Sequence, residues 1–227
     1  LPNYIDHGRY VTYAILNNYR PNRQTKRILT IKKGGQVPLE EITTFLKHEG
    51  SKKHFFPVIH AHDLRDGTFR GLQPQNFFVA YENDRMAGVV AAWDQSSFKQ
   101  YVVCGYKFPI SLARPLLNVL LRVAHAVPLP APGEPLGILN ASFPCIRDND
   151  PEIFALLLDE LCRSARRTSH HVVLAGLHEQ DPLNYALKEC TALKYTSRIF
   201  LVCWQDGMDF VKSLDPDKIP YLDAALL

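Results

Sequence analysis

The chain has 227 residues, 46% of them apolar and 22% charged, with a formal net charge of +3. That length allows one large domain or a domain with an appendage. No apolar run approaches the roughly 18 residues of a membrane span, and the mild, dispersed charge argues against a nucleic-acid partner. The five cysteines, Cys104, Cys145, Cys162, Cys190 and Cys203, are odd in number and lack CxxC spacing, which predicts buried, reduced thiols and a cytoplasmic setting.

Tyr10 to Leu16 mixes aromatic and β-branched residues with small ones, a strand pattern, and Ile28 to Ile31 is a second apolar run. Between and beyond them lies the densest basic stretch, Tyr19 to Lys33, with Arg20, Arg23, Lys26, Arg27, Lys32 and Lys33. It reads either as a solvated loop or as a polyanion patch. Pro38 opens a helix with Leu39, Ile42, Phe45 and Leu46 on one face, closed by Gly50. Ser51 to Gln75 is irregular and reads as a short helix and a loop over a pocket.

Phe77 to Tyr81 and Met86 to Trp93 flank a polar turn and predict an antiparallel hairpin with Asn83 and Asp84 as turn formers. Tyr101 to Tyr106 predicts a further strand. Pro109 to Ala126 carries Leu112, Leu116, Leu120 and Val123 at helical spacing, with Pro115 imposing a late start or a kink. A stiff connector through Pro128, Pro130, Pro132 and Pro135 follows.

The second half repeats one unit. Gly137 to Ile146, His171 to Leu177 and Arg198 to Trp204 read as strands, and Asp150-Pro151 and Asp181-Pro182 open helices between them. Asp supplies the cap oxygen, and Pro occupies the first helical position, where its missing N–H costs nothing. Phe154, Leu157, Leu158, Leu161, Cys162 and Ala165 form one apolar stripe that must face a sheet. Strand, helix, strand predicts a parallel crossover, so the sheet is mixed: mostly antiparallel, with one parallel pair and flanking helices.

This order, carried by FFVAYENDRMAGVVAAW, GILNASFPCIRDNDPEIFALLLDELCRSA and HVVLAGLHEQDPLNYALKE, resembles the GNAT (GCN5-related N-acetyltransferase) superfamily across 28–204. Residues 1–27 are left as an N-terminal strand and basic connector, open to being the end of a preceding domain in the same polypeptide, and 205–227 as a C-terminal tail. The resemblance implies acyl-CoA-dependent acyl transfer to a small-molecule or peptide amine. Acetyl-CoA or another acyl-CoA is then the co-substrate, without a metal. It places the donor's pantetheine arm where two parallel strands splay apart, against the backbone of Phe143, Cys145 and Ile146, with Arg147 and Asn149 toward its phosphates.

Pro144 fits such an interrupted strand, since it has no ladder donor. The loop departs from the family's glycine-rich pyrophosphate pattern: Asn149, Glu152 and Phe154 stand at its three positions. Asp148, Asp150 and Glu152 crowd the helix start with carboxylates, and Arg147 is the only local cation in sequence. For proton transfer the resemblance calls for a tyrosine on this helix facing the leaving thiolate; its expected position falls on Cys190, Tyr185 is the candidate substitute, and Glu179 is the candidate acceptor of the amine proton. A packing tyrosine and a glutamate that merely precedes a helix are the plainer readings. The string His60, His62 and Asp63 lacks further ligands at metal spacing and reads better as a loop. The second functional reading is a degenerate GNAT-like module, a structural or ligand-sensing half of a larger, tandem protein.

Overall fold

The computed structural model describes residues 1–16, 27–123, 127–168 and 170–227. Arg20, Arg23 and Lys26 of the basic run, and the predicted helix end at Ala126, lie outside the described residues. Seven strands form one sheet: β1 (Asn3–Leu16), β2 (Thr30–Lys33), β3 (Phe77–Glu82), β4 (Arg85–Asp94), β5 (Ile138–Ile146), β6 (Val172–His178) and β7 (Ala192–Cys203), in the order β2-β3-β4-β5-β6-β1-β7. Every neighbouring pair is antiparallel except β5 with β6. The expected mixed α/β fold is therefore present.

The hairpin from β3 to β4 turns at Asn83 and Asp84, both at positive φ (50° and 59°), as a two-residue turn matching strand twist requires. Helix α3 (Pro151–Arg167) starts where Asp150-Pro151 predicts. The Asp150 side chain accepts from the amides of Glu152 and Ile153, and the apolar stripe is buried. With α4 (Asn184–Lys188), α3 covers one sheet face, whose cluster includes Tyr13, Ile15, Phe78, Val90, Leu157 and Leu161. Helix α1 (Leu39–Gly50), the segment through Ile59, Leu64 and Leu72, and Ala225 near the C-terminus cover the other face.

Several expectations are corrected. The first strand begins at Asn3 rather than Tyr10, and β1 lies inside the sheet, paired to β6 on one side and β7 on the other. Its first half was masked in sequence by the polar stretch around Asp6 to Arg9, where a bulge interrupts the pairing. Residues 51–73 form a series of turns, and the short helix expected in 51–75 is one 3-10 turn at its end, Pro74–Asn76. Tyr101 to Tyr106 is not a strand, because its side chains find no core. Tyr101 and Val102 are exposed, and only a single bridge from Val102 to Pro135 forms. Cys104 is exposed and Cys203 partly so, against the expectation of buried thiols. The Asp181-Pro182 helix is α4, five residues long and preceded by a turn in which Asp181 accepts the Leu183 amide through Oδ1 and pairs with Lys53 through Oδ2.

Helix α2 (Ile110–Val123) forms around Pro115 but has no buried residue. Its apolar side is open to solvent, with Leu116 68% exposed, whereas Leu157 on α3 is fully buried. The same spacing in sequence thus produces opposite energetics. Leu157→Ala should cost about 2–5 kcal/mol by removing core contacts and leaving a cavity. Leu116→Ala should stay within about 0.5 kcal/mol. Chemical denaturation of the two variants checks the contrast.

Candidate functional site: a strand splay filled by the C-terminal segment

The parallel pair β5 and β6 is joined only at Ile138↔Val172, Leu139↔Val173 and Asn140↔Leu174. Beyond that the strands part. On its other side β5 stays with β4, but its register slips between Ala91↔Ser142 and Val89↔Cys145, so Phe143 and Pro144 bulge. Phe143 takes φ 52°, a left-handed backbone that a bulky residue adopts only when its surroundings impose it. Pro144 sits where no ladder donor is needed, as its chemistry demands.

The bulge aims the Phe143 amide into the gap. That amide is not free: it donates to Asp223 Oδ2 at 2.8 Å and to Tyr221 Oη at 3.1 Å. Tyr221 Oη in turn donates to Asp223 Oδ2, and Asp223 Oδ1 accepts from the Ala225 amide at 2.9 Å. The Tyr221 ring packs 4.5 Å from Phe56, which with Phe69 and Trp93 surrounds the Phe143 ring. Residues expected to form a tail therefore fill the splay, and Tyr221, Asp223 and Ala225 are buried.

Three supports hold this plug. Tyr10 of β1 reaches across β6 and donates to the Leu222 carbonyl at 3.2 Å. It can do so only because β6 has Gly176 there: a Cβ would lie 2.0 Å from the Tyr10 hydroxyl. His54 pairs with the segment by backbone in both directions, to Ile219 and from Tyr221. Finally, Gln95 Nε2 donates to the Ala225 carbonyl at 2.9 Å. Nearby, Lys53 and Asp181 form a buried ion pair at 2.7 Å, joining the segment after α1 to the turn after β6.

Burial raises the Asp223 carboxyl above its usual range, although Tyr221 and the amides of Phe143 and Ala225 pull it back down. Burial likewise raises the phenols of Tyr221 and Tyr10. An acid raised in the folded state contributes stability that is present below its unfolded pKa and lost as pH rises through the folded one. Deprotonation of Asp223 is therefore disfavoured in the folded state relative to the unfolded one, and the hydrogen bonds it accepts offset part of that cost.

Just beyond the C-terminal end of β5, the α3 N-terminus is also satisfied from within. Asp150 caps its first amides and pairs with Arg27, which also binds Glu82, and Arg147 turns to the same Glu82. Burial alone would raise the Asp150 carboxyl, but Arg27 and the capped amides hold it below the usual range. Arg27 is a cation the sequence reading placed in a loop, and it corrects the view that Arg147 stands alone here. The basic stretch, where described, is spent on such contacts: Lys32 lies over the Tyr81 ring and Lys33 over Phe78.

The other candidates fall around this frame. Cys145 is buried with its thiol pushed up to about 12 by burial, the environment of an inert structural cysteine. Ile146 is buried in the α3-side cluster, and Asn149 closes the loop at positive φ. Glu179 accepts the Arg9 amide through Oε1 at 3.0 Å, tying β6 to the β1 bulge. Tyr185 is 65% exposed, with the Lys188 ammonium 4.9 Å from its ring centroid. His60 and His62 stack on one another, and Asp63 accepts the His60 amide. Among the described residues no three His, Cys, Asp or Glu side chains gather as a metal site would need. No helix there is long and apolar enough to cross a membrane.

Tyr10, Lys53, Gly176, Tyr221 and Asp223 were missed in sequence. A signal existed in Tyr221, Leu222, Ala225 and Leu226, too apolar a run for a solvated tail. No protein-family model matches the sequence, and no curated protein matches it. Among solved structures, that of a GCN5-related N-acetyltransferase from Kribbella flavida is similar over 88% of this chain and 38% of that one, at 13% identity and a TM-score of 0.41. The chain spans well under half the length of that protein.

Two substitutions probe the plug. Asp223→Ala should cost about 1–3 kcal/mol by stripping a buried amide and a phenol of their acceptor. Gly176→Ala should cost about 1–3 kcal/mol by pushing Tyr10 out of place. At this chain length each kcal/mol lowers the melting temperature by roughly 2–4 °C, so thermal melts read both.

Proposed function

We propose that the chain is a GNAT-like module whose acyl-donor groove is filled by its own C-terminal segment. It then serves as a structural or ligand-sensing unit within a larger protein rather than as a working acyltransferase. The observation that carries this reading is the Phe143 amide. In the resemblance it is the strand donor left for an incoming pantetheine arm, and here Asp223 and Tyr221 already hold it.

The phosphate end agrees. A diphosphate at a helix start needs uncommitted amides and net positive charge. Here the Glu152 and Ile153 amides are committed to Asp150, and Arg27 and Arg147 are paired with carboxylates. The residues present therefore do not fit acyl-CoA in this folded state, and no transfer step is derived through it.

A second reading, N-acyl transfer to an unidentified small-molecule or peptide amine, is favoured by the splay itself. Strands that diverge after Asn140↔Leu174, with a bulge at the right place, are the layout the resemblance expects of a donor groove. In that reading Glu179 accepts the amine proton and Tyr185 supplies one to the thiolate, and the C-terminal segment must first withdraw.

Calorimetric titration of the intact protein with acetyl-CoA and with CoA tests the choice. The expected outcome is no saturable heat at millimolar ligand. Saturable binding that is lost in Arg147→Ala would return the chain to the acyltransferase reading.

A further inference from the structure

We infer that the splay between β5 and β6 is a peptide-binding groove, selective for a segment with tyrosine and aspartate two residues apart, and that the C-terminal segment is its resident, exchangeable ligand. This rests on the reading of the groove as closed to acyl donors. The segment is held by main-chain bonds to the loop after α1 and by pockets for two side chains, and it turns at 224–226, where the Leu226 amide donates to the Asp223 carbonyl.

Alternate residues of the segment are buried: Tyr221, Asp223 and Ala225, each about one-twentieth exposed or less. Leu222 and Ala224 between them are only partly buried. The backbone of His54 contributes one donor and one acceptor, to Ile219 and from Tyr221. The tyrosine pocket is made by Phe56 and the surrounding ring cluster, and the aspartate pocket by the Phe143 amide. Tyr10 and Gln95 bind the carbonyls of Leu222 and Ala225, contacts that any peptide backbone could supply. The groove thus reads two side chains and otherwise main chain.

The buried segment is joined to the sheet through a stretch that itself buries nothing, as a tether would. From Val202 to Ile219 no residue is buried, and α5 (Met208–Lys212) within that stretch buries nothing. The tether is held by surface bonds such as His54 Nε2 with the Asp215 carbonyl and Lys218 Nζ with the Ser51 carbonyl. Beside the plug, a hollow of about 300 Å³ lined by Phe55, Ile199, Phe200, Leu201 and Leu226 lies between the segment and β7. Such a hollow leaves room for the segment to move out without first breaking the sheet.

The test uses the full chain with a specific protease sequence inserted between Leu214 and Asp215 in the exposed tether. After cleavage, a labelled synthetic peptide spanning Lys218 to Leu227 is added in excess. The expected result is that the cut protein keeps its circular dichroism and takes up the labelled peptide saturably. Peptides carrying Tyr221→Ala or Asp223→Ala should bind about tenfold or more weakly. Unfolding of the chain on cleavage, or equal uptake of the wild-type and Asp223→Ala peptides, overturns the inference. Displacement of the labelled peptide by acetyl-CoA would support an exchangeable resident while sinking the closed-groove reading of the function, so the two fail separately.

Discussion

A buried peptide amide must have an acceptor, and the divergence of β5 from β6 leaves one without a strand partner. Much of this end of the molecule is arranged around that requirement at Phe143. The bulge turns the amide into the gap, and Asp223 and Tyr221 arrive from 80 and 78 residues away in sequence to accept it. Tyr10 can brace the arriving segment only because Gly176 has no side chain. Placing the acceptor therefore draws in β1, β6, the loop after α1 and the C-terminus together.

The loop that follows the same strand obeys a parallel logic with charges. A helix start rich in carboxylates is unfavourable near other anions, and the structure answers with Arg27 and Arg147 around Glu82 and Asp150. The C-terminal half of β5 and the loop that follows it are thus internally satisfied, the strand by a peptide segment and the loop by an ion-pair network. On the function proposed above, an acyl-CoA molecule would have to displace both, and that joint self-sufficiency, rather than the loss of any one residue, sets the scaffold apart from the chemistry its layout resembles.

The sequence made the local elements legible wherever local physics decides them. Asp150-Pro151 marked the start of α3, Asn83 and Asp84 marked the hairpin turn, and the Phe154 to Ala165 stripe marked a buried helix face. It failed where the outcome depends on distant partners. Helix α2 has a stripe as regular as that of α3, but nothing in the described chain covers it. Asp181-Pro182 carries the same signal as Asp150-Pro151 and makes the same capping bond, yet its helix is five residues long, because the chain must turn into β7 at Ala192. The site was half visible: Pro144 announced an interrupted strand, and the acidic loop announced trouble for phosphates. The occupant of the gap was invisible, because no spacing rule links Tyr221 and Asp223 to Phe143.

The claim that the splay is closed from within reduces to the state of one amide. Site-resolved hydrogen exchange of the intact protein measures it directly. A plugged gap predicts that the Phe143 amide is protected as strongly as those of the β3 and β4 core, and that Asp223→Ala selectively weakens that protection. Fast exchange at Phe143 in the unaltered protein, with β3 and β4 still protected, would contradict the account.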